Sequence, residues 1–358
     1  MKIIKILILT FLIYFVQNTL IAQNINLYAG IEVGSKGIKI SVIEITNIKR
    51  GEFDIKSYWA ENVGIAKGIA IDGNLIKEDI DRAVVVVSTN YLRIKNEYKV
   101  IENNIFIVGS SGVGMAKNTQ ELIEKVKLAT NKDMEFIDVG TEGRMLLKGC
   151  VPPNEYKNSM VLDIGGGNTK GGYIDIRNDD NNFVFFPLSL NYGTITLTEA
   201  VNKKVKNETV SEFNEKCFGF MPNIRDQIKT MYASAPIALE KERVYLSGGT
   251  VWAFYTLYNG AGKETFNEFK LEDVLNYDAI LKNNFVKYEE LAKTNKDVEK
   301  VIKTYTQKYL ISGSNILLAS LEALPKINDK KLFFAKEGQI AWLVSYVADR
   351  SKKIKKIY

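Results

Sequence analysis

Apolar and polar positions along this chain of 358 residues fall twice into the same pattern. In 160–172, MVLDIGGGNTKGG, three apolar residues lead into Asp163, a β-branched residue follows, and three glycines come next. The pattern predicts a strand ending in a tight turn, with a new strand leaving from about Thr169. In 27–45, LYAGIEVGSKGIKISVIEI, an apolar strand again leads into an acid, Glu32, then a β-branched residue, a glycine, a small loop and a second strand. Further strand-like sequence follows each copy, at 53–60 and at 182–190. Two such units imply a duplicated domain facing itself across a cleft.

After the first three strands, Ile76, Ile80, Ala83, Val87, Tyr91 and Ile94 recur at helical spacing and predict a long helix over 74–100. A strand over 104–108, a Gly/Ser-rich turn over 110–118, a helix over 118–129 and a strand over 134–139 complete a βββαβαβ order. Pro152 and Pro153 mark a linker at 151–156. The plan then repeats: strands over 160–164, 170–176 and 182–190, a helix from about Thr194, helical sequence to Ala238, and a strand over 243–246 entering the Ser247–Thr250 turn. From Asn267 to Ile354 the pattern reads as mostly helical, with 300–324 and 335–350 the clearest segments. The expected domains are 24–152 and 153–358.

Residues 1–22 stand apart. Lys2 and Lys5 precede an apolar run from Ile6 to Val16, then a polar break and Ala22, which matches a secretory signal peptide and points to an exported, periplasmic protein. The run is short for a membrane span, and a retained N-terminal anchor is the other reading. No later stretch is long enough to cross a bilayer. The net charge of +6, with 25% charged residues, includes no dense basic run that would argue for nucleic acid. A homodimer is compatible with the sequence.

Histidine is absent, which removes Ser–His–Asp and Cys–His catalysis and every His-ligated metal site. Acid–base work falls to carboxylates, lysine, tyrosine or water. Cys150 and Cys217 read equally well as a pair in an oxidising compartment and as two separate buried thiols. Gly165, Gly166 and Gly167 carry no Cβ, so their amides can close on an anion. Asp163, at the end of the strand, faces whatever that loop holds, and an acid beside such a cradle suits a phosphate chain with a divalent cation. A glycine-rich hairpin with a capping Asp fits the same letters. Recurrence of the motif at Glu32–Gly37 favours the phosphate reading.

These motifs, in this order, resemble the exopolyphosphatase / guanosine pentaphosphate phosphohydrolase (Ppx/GppA) family of the actin-like ATPase superfold, over about 27–347. The resemblance rests on the loop from Glu32 to Gly37, SSGVGMAKN at 110–118, DVGTEGRMLL at 138–147, DIGGGNTK at 163–170, LNYGTITLTE at 190–199 and the turn from Ser247 to Thr250. It implies an α/β fold of duplicated actin-like (ribonuclease H-like) domains facing an interdomain cleft, with a helical C-terminal part. It further implies hydrolysis of terminal phosphoanhydride bonds of polyphosphate or a related substrate with Mg²⁺. Glu142 then falls on the family's general base, and Glu32 and Asp163 on its metal-holding acids. Phosphates would be held by Gly34, Ser35, Lys36 and Gly37, by Ser111, by Gly165, Gly166, Gly167, Asn168, Thr169 and Lys170, and by Gly248, Gly249 and Thr250.

Four departures fall at the site itself. Glu32 stands where the family has Asp, Ser35–Lys36–Gly37 where it has Ser-Asn-Ser, Gly114 where it has Arg, and Lys170 where it has Glu. A lysine repels Mg²⁺. One reading gives Lys170 and Lys36 direct contact with phosphates and little role to a metal. The other is an exported protein that binds a phosphate chain or nucleotide without cleaving it. Lys36 also reads as an exposed loop residue, and strand alternation could turn Lys170 outward. Outside the cytoplasm, polyphosphate is a more plausible substrate than a nucleotide.

Overall fold

A computed structural model describes residues 26–47, 52–176 and 183–355; the leader over 1–22 lies outside them. The first sheet contains β1 (Leu27–Val33), β2 (Gly37–Asn47), β3 (Glu52–Asn62), β4 (Ile105–Gly109) and β5 (Met134–Phe136). Their order is β3-β2-β1-β4-β5. β1–β2 and β2–β3 are antiparallel, β1–β4 and β4–β5 parallel. The second sheet contains β6 (Ser159–Ile164), β7 (Thr169–Ile176), β8 (Phe183–Leu190), β9 (Arg243–Ser247), β10 (Phe266–Phe269) and β11 (Lys331–Ala335). Its order is β10-β11-β9-β6-β7-β8, and the pairing senses repeat: β6–β7 and β7–β8 antiparallel, β6–β9 and β9–β11 parallel. The run β8-β7-β6-β9-β11 therefore restates the first sheet, with β10 added antiparallel at one edge. This is the duplicated, actin-like α/β arrangement expected from the two motif copies.

The central strands explain their own position. Every residue of β1 and of β6 is buried, as a strand covered on both faces requires. Each half has its own core. A third core unites them: Tyr28 and Val108 from the first half meet Val161 and Tyr245 from the second, around Leu146, Trp342, Leu343 and Val347. Those last four residues belong to the helices Val139–Cys150 and Gly338–Lys355. The C-terminal helix packs on Val139–Cys150 and on β1, so it returns to the first half and closes the base between the two sheets.

Several elements differ from the sequence pattern, each for a local reason. The helix expected over 74–100 runs over Lys77–Asn96, and a separate single turn, Ile69–Asp72, precedes it and ends at Gly73 with φ +88°. The strand expected to reach Val139 stops at Phe136, because Asp138 caps a helix instead. The turn over 110–118 contains one helical turn, Ser111–Gly114. The helix expected over 300–324 is two, Lys296–Thr304 and Gln307–Glu322. Tyr305 between them is extended, and the Thr306 side chain caps the second by accepting from the Tyr309 N–H. The stretch read as mostly helical also holds β10 and β11. Cys150 and Cys217 are both buried and unbridged.

Candidate functional site

Each sheet brings an acid and a lysine together by the same register. In β1–β2, Glu32 lies opposite Lys39, and the Lys39 ammonium donates to Glu32 Oε1 at 3.2 Å. In β6–β7, Asp163 lies opposite Lys170, and Lys170 donates to Asp163 Oδ1 at 3.1 Å. The segments EVGSKGIK and DIGGGNTK thus align residue for residue, acid at one end and lysine at the other. Opposite charges at directly paired positions attract across a ladder, and both pairs sit where the strands open into their loops.

Glu142 joins the second pair from below. Asp138 caps its helix by accepting from the Thr141 N–H at 2.8 Å, which puts Glu142 in the first turn. The helix lies hard against β7: a Cβ on Gly143 would stand 2.6 Å from the Gly171 carbonyl oxygen, so only glycine lets the backbones come this close. The fully buried Glu142 carboxylate then accepts from the Ser111 N–H at 2.8 Å through Oε2. Its Oε1 faces the Lys170 ammonium at 3.1 Å as an ion pair.

Burial raises the Glu32 carboxyl to about 7; Lys39 and Lys170 oppose the shift and Glu142 adds to it. Its Oε2 is buried without a hydrogen-bond partner. Burial works against the charge on Lys170, yet Asp163 and Glu142 outweigh it and its pKa is raised. Lys36 is lowered, by burial and then by Lys67.

Between the halves lies a cavity of about 390 Å³, within the range of small-molecule sites. Gly34, Ser35, Lys36 and Gly37 line it from the first half, and Gly165, Gly166, Gly167, Asn168, Lys170, Gly248 and Gly249 from the second, together with Glu32 and Asp163. Gly248 turns at φ +94°, where a Cβ would come within 2.5 Å of the Ile164 carbonyl. Four expected site residues are not on this wall. Ser111 sits behind it, where its Oγ accepts from Asn168 Nδ2 at 2.9 Å. Thr169 donates to the Tyr192 carbonyl at 2.9 Å. Thr250 is buried with no partner for its hydroxyl. Glu142 is screened from the cavity by Lys170.

The two loops also touch. A Cβ on Gly166 would lie 3.1 Å from Ser35 Cβ, and one on Gly167 would run into Ser35 Oγ. Lys36, read alternatively as an exposed loop residue, reaches across to the Tyr309 and Tyr305 rings, 4.9 and 5.4 Å from their centroids. Sequence reasoning missed Lys39, Lys300 and the aromatic wall of Tyr58, Trp252, Tyr305 and Trp342. Lys39 was readable: aligning the two acid–loop–lysine segments places it against Lys170. The aromatic residues come from β3 and three separate helical regions, and no local pattern gathers them.

The divalent cation implied by the family resemblance does not fit these donors. Both expected acids already hold an ammonium, and among the described residues no group of three or more His, Cys, Asp or Glu side chains could hold a metal ion.

A profile of the Ppx/GppA phosphatase family matches residues 44–328. The chain belongs to the Ppx/GppA phosphatase family. Its fold is similar to the Ppx/GppA phosphatase of Aquifex aeolicus in its type II variant, at 21% identity and TM-score 0.59, covering 89% of this chain and 98% of that one. It is also similar to an exopolyphosphatase from Cytophaga hutchinsonii, at 17% identity and TM-score 0.65, covering 89% and 98%. No curated protein matches the chain. Ppx/GppA membership supports a phosphohydrolase.

Proposed function

We propose that this Ppx/GppA member removes terminal phosphates from polyphosphate or a related phosphoanhydride bound in the cleft between its halves. The observation that supports this best is the cleft lining: two glycine loops with four lysines, Lys36, Lys39, Lys170 and Lys300, against two carboxylates, Glu32 and Asp163. That excess of positive charge suits a polyanion, and backbone amides with ammonium groups stabilise the charge of a transferring phosphoryl group. In the reaction a water oxygen bonds to the terminal phosphorus as the P–O bond to the bridging oxygen breaks. The electron pair goes to the shortened chain, and the water proton goes to Glu142. For Glu142 to reach that water, Lys170 must swing toward the phosphate. The reading of residues 1–22 as an export signal favours polyphosphate over a nucleotide as substrate.

The second reading is a binding protein that has lost hydrolysis. One observation favours it: both Glu142 oxygens are engaged, by Ser111 and Lys170. Phosphate release decides between the two. The purified chain is incubated with tripolyphosphate, long-chain polyphosphate and nucleoside triphosphates, and orthophosphate is measured. Hydrolysis predicts release that falls by a factor of about 10²–10⁴ in Glu142→Gln. Calorimetric binding of tripolyphosphate with no release supports the second reading, and equal release by wild type and Glu142→Gln removes Glu142 from the mechanism.

A further inference from the structure

We infer that Lys39 and Lys170 are a matched pair of built-in cations that take the place of a divalent metal, so that the cleft binds condensed phosphate without one. This rests on the proposal that the cleft takes a phosphate chain. The two lysines occupy equivalent positions in the two halves, each directly across a ladder from the acid at the mouth of its loop. Each ammonium already engages one carboxylate oxygen of its acid, 3.2 Å from Glu32 Oε1 and 3.1 Å from Asp163 Oδ1. An ion as demanding of geometry as Mg²⁺ would have to displace them. Lys170 is the harder to displace, since it is buried between Asp163 and Glu142 and its pKa is raised by both.

The same arrangement leaves the ammonium groups able to do what a metal does. An ammonium has three donors. Lys170 spends one on Asp163 and faces Glu142 as an ion pair, and Lys39 spends one on Glu32. Both groups line the cavity, so the remaining N–H bonds can bridge from the acids to phosphate oxygens entering between the loops. Glu32 and Asp163 keep the lysines at the cleft, Lys170 turns from Glu142 toward the phosphate, and the lysines carry the charge. Two such bridges, one from each half, grip the chain from both sides.

The test is calorimetric titration of tripolyphosphate into the purified chain, in excess EDTA and again in saturating Mg²⁺, with a separate titration of Mg²⁺ alone. The expected result is binding in EDTA at least as tight as in Mg²⁺, because free Mg²⁺ competes for the ligand, and no heat from Mg²⁺ alone. Lys39→Met, at a part-exposed position, weakens the EDTA binding by about tenfold or more. Lys170→Glu, if it folds, makes binding depend on Mg²⁺. Binding by wild type only when Mg²⁺ is present overturns the inference and leaves the phosphate-chain proposal standing. So does an unaltered affinity in Lys39→Met. Absence of binding under both conditions overturns the proposal and the inference together.

Discussion

At the scale of single residues, Glu32 carries a carboxyl whose protonation changes near neutrality: burial lifts it from an ordinary 4.5 to about 7. The native state therefore binds more protons than the unfolded chain between those values, and stability falls as pH rises through that window. The contribution is fully present below about pH 4.5 and gone above about pH 7, a swing of roughly 1–3 kcal/mol. Glu32→Gln keeps the shape and removes the titration. Denaturant unfolding near pH 5 and near pH 8 is expected to show wild type losing more stability than Glu32→Gln over that interval, and parallel losses would mean that Glu32 is ionised throughout. The acids and Lys170 were legible from the chain because each ends a recognisable strand–loop motif. Their mutual neutralisation was not, because it depends on Glu142 arriving from the helix Val139–Cys150, which the sequence pattern did not show. Lys36, Lys39 and Lys170 differ in environment although the sequence presents all three simply as lysines near glycines.

At the scale of elements, the position of the helix Val139–Cys150 decides whether Glu142 meets Lys170. The glycines Gly140 and Gly143 in its first turns give a contrast. Alanine raises helix propensity by about 1 kcal/mol at either position. At Gly140 the nearest obstacle to a Cβ is the tip of the Asp138 carboxylate, at 3.2 Å, which can move. At Gly143 it is the Gly171 carbonyl at 2.6 Å, backbone inside a paired strand. Gly143→Ala is thus expected to lose about 1–3 kcal/mol through overpacking, while Gly140→Ala is neutral or mildly stabilising; thermal melts of the two variants check this, and equal melting temperatures would remove the close approach from the argument. Other elements were legible to different degrees. The paired motifs and the alternation of strands and helices in 27–260 carried the topology. β10 and β11 did not show, because four- and five-residue apolar runs among helices carry no period of their own, and their pairing with each other and with β9 is decided by the sheet. The break at Tyr305 was hidden by apolar residues continuing at helical spacing on both sides, yet it is this break that lets Tyr305 face the cleft.

At the scale of the whole molecule, the halves are joined at the base by the core around Trp342 and Leu343 and meet again at the loops. Between these two contacts lies the cavity; under the proposed function, a phosphate chain spanning both loops would enter as the halves part and be enclosed as they return. The loop contact is polar and small: Asn168 to Ser111, Ser35 against Gly166, and Lys203 donating to the Ile71 carbonyl at 2.7 Å. Lys36 adds cation–ring contacts from the first half onto two tyrosines of the second. A partly desolvated contact of this kind contributes about 0.5–2 kcal/mol, enough to change an open–closed ratio by a factor of roughly 2–30. Lys36→Ala is therefore expected to widen the free protein, seen as a larger radius of gyration in solution scattering. Saturating tripolyphosphate draws the halves together through Lys39 and Lys170, so the variant and wild type converge when liganded. Identical radii without ligand would mean that the loops hold each other unaided, and a variant that stays wide at saturation would mean that closure needs the Lys36 contact itself.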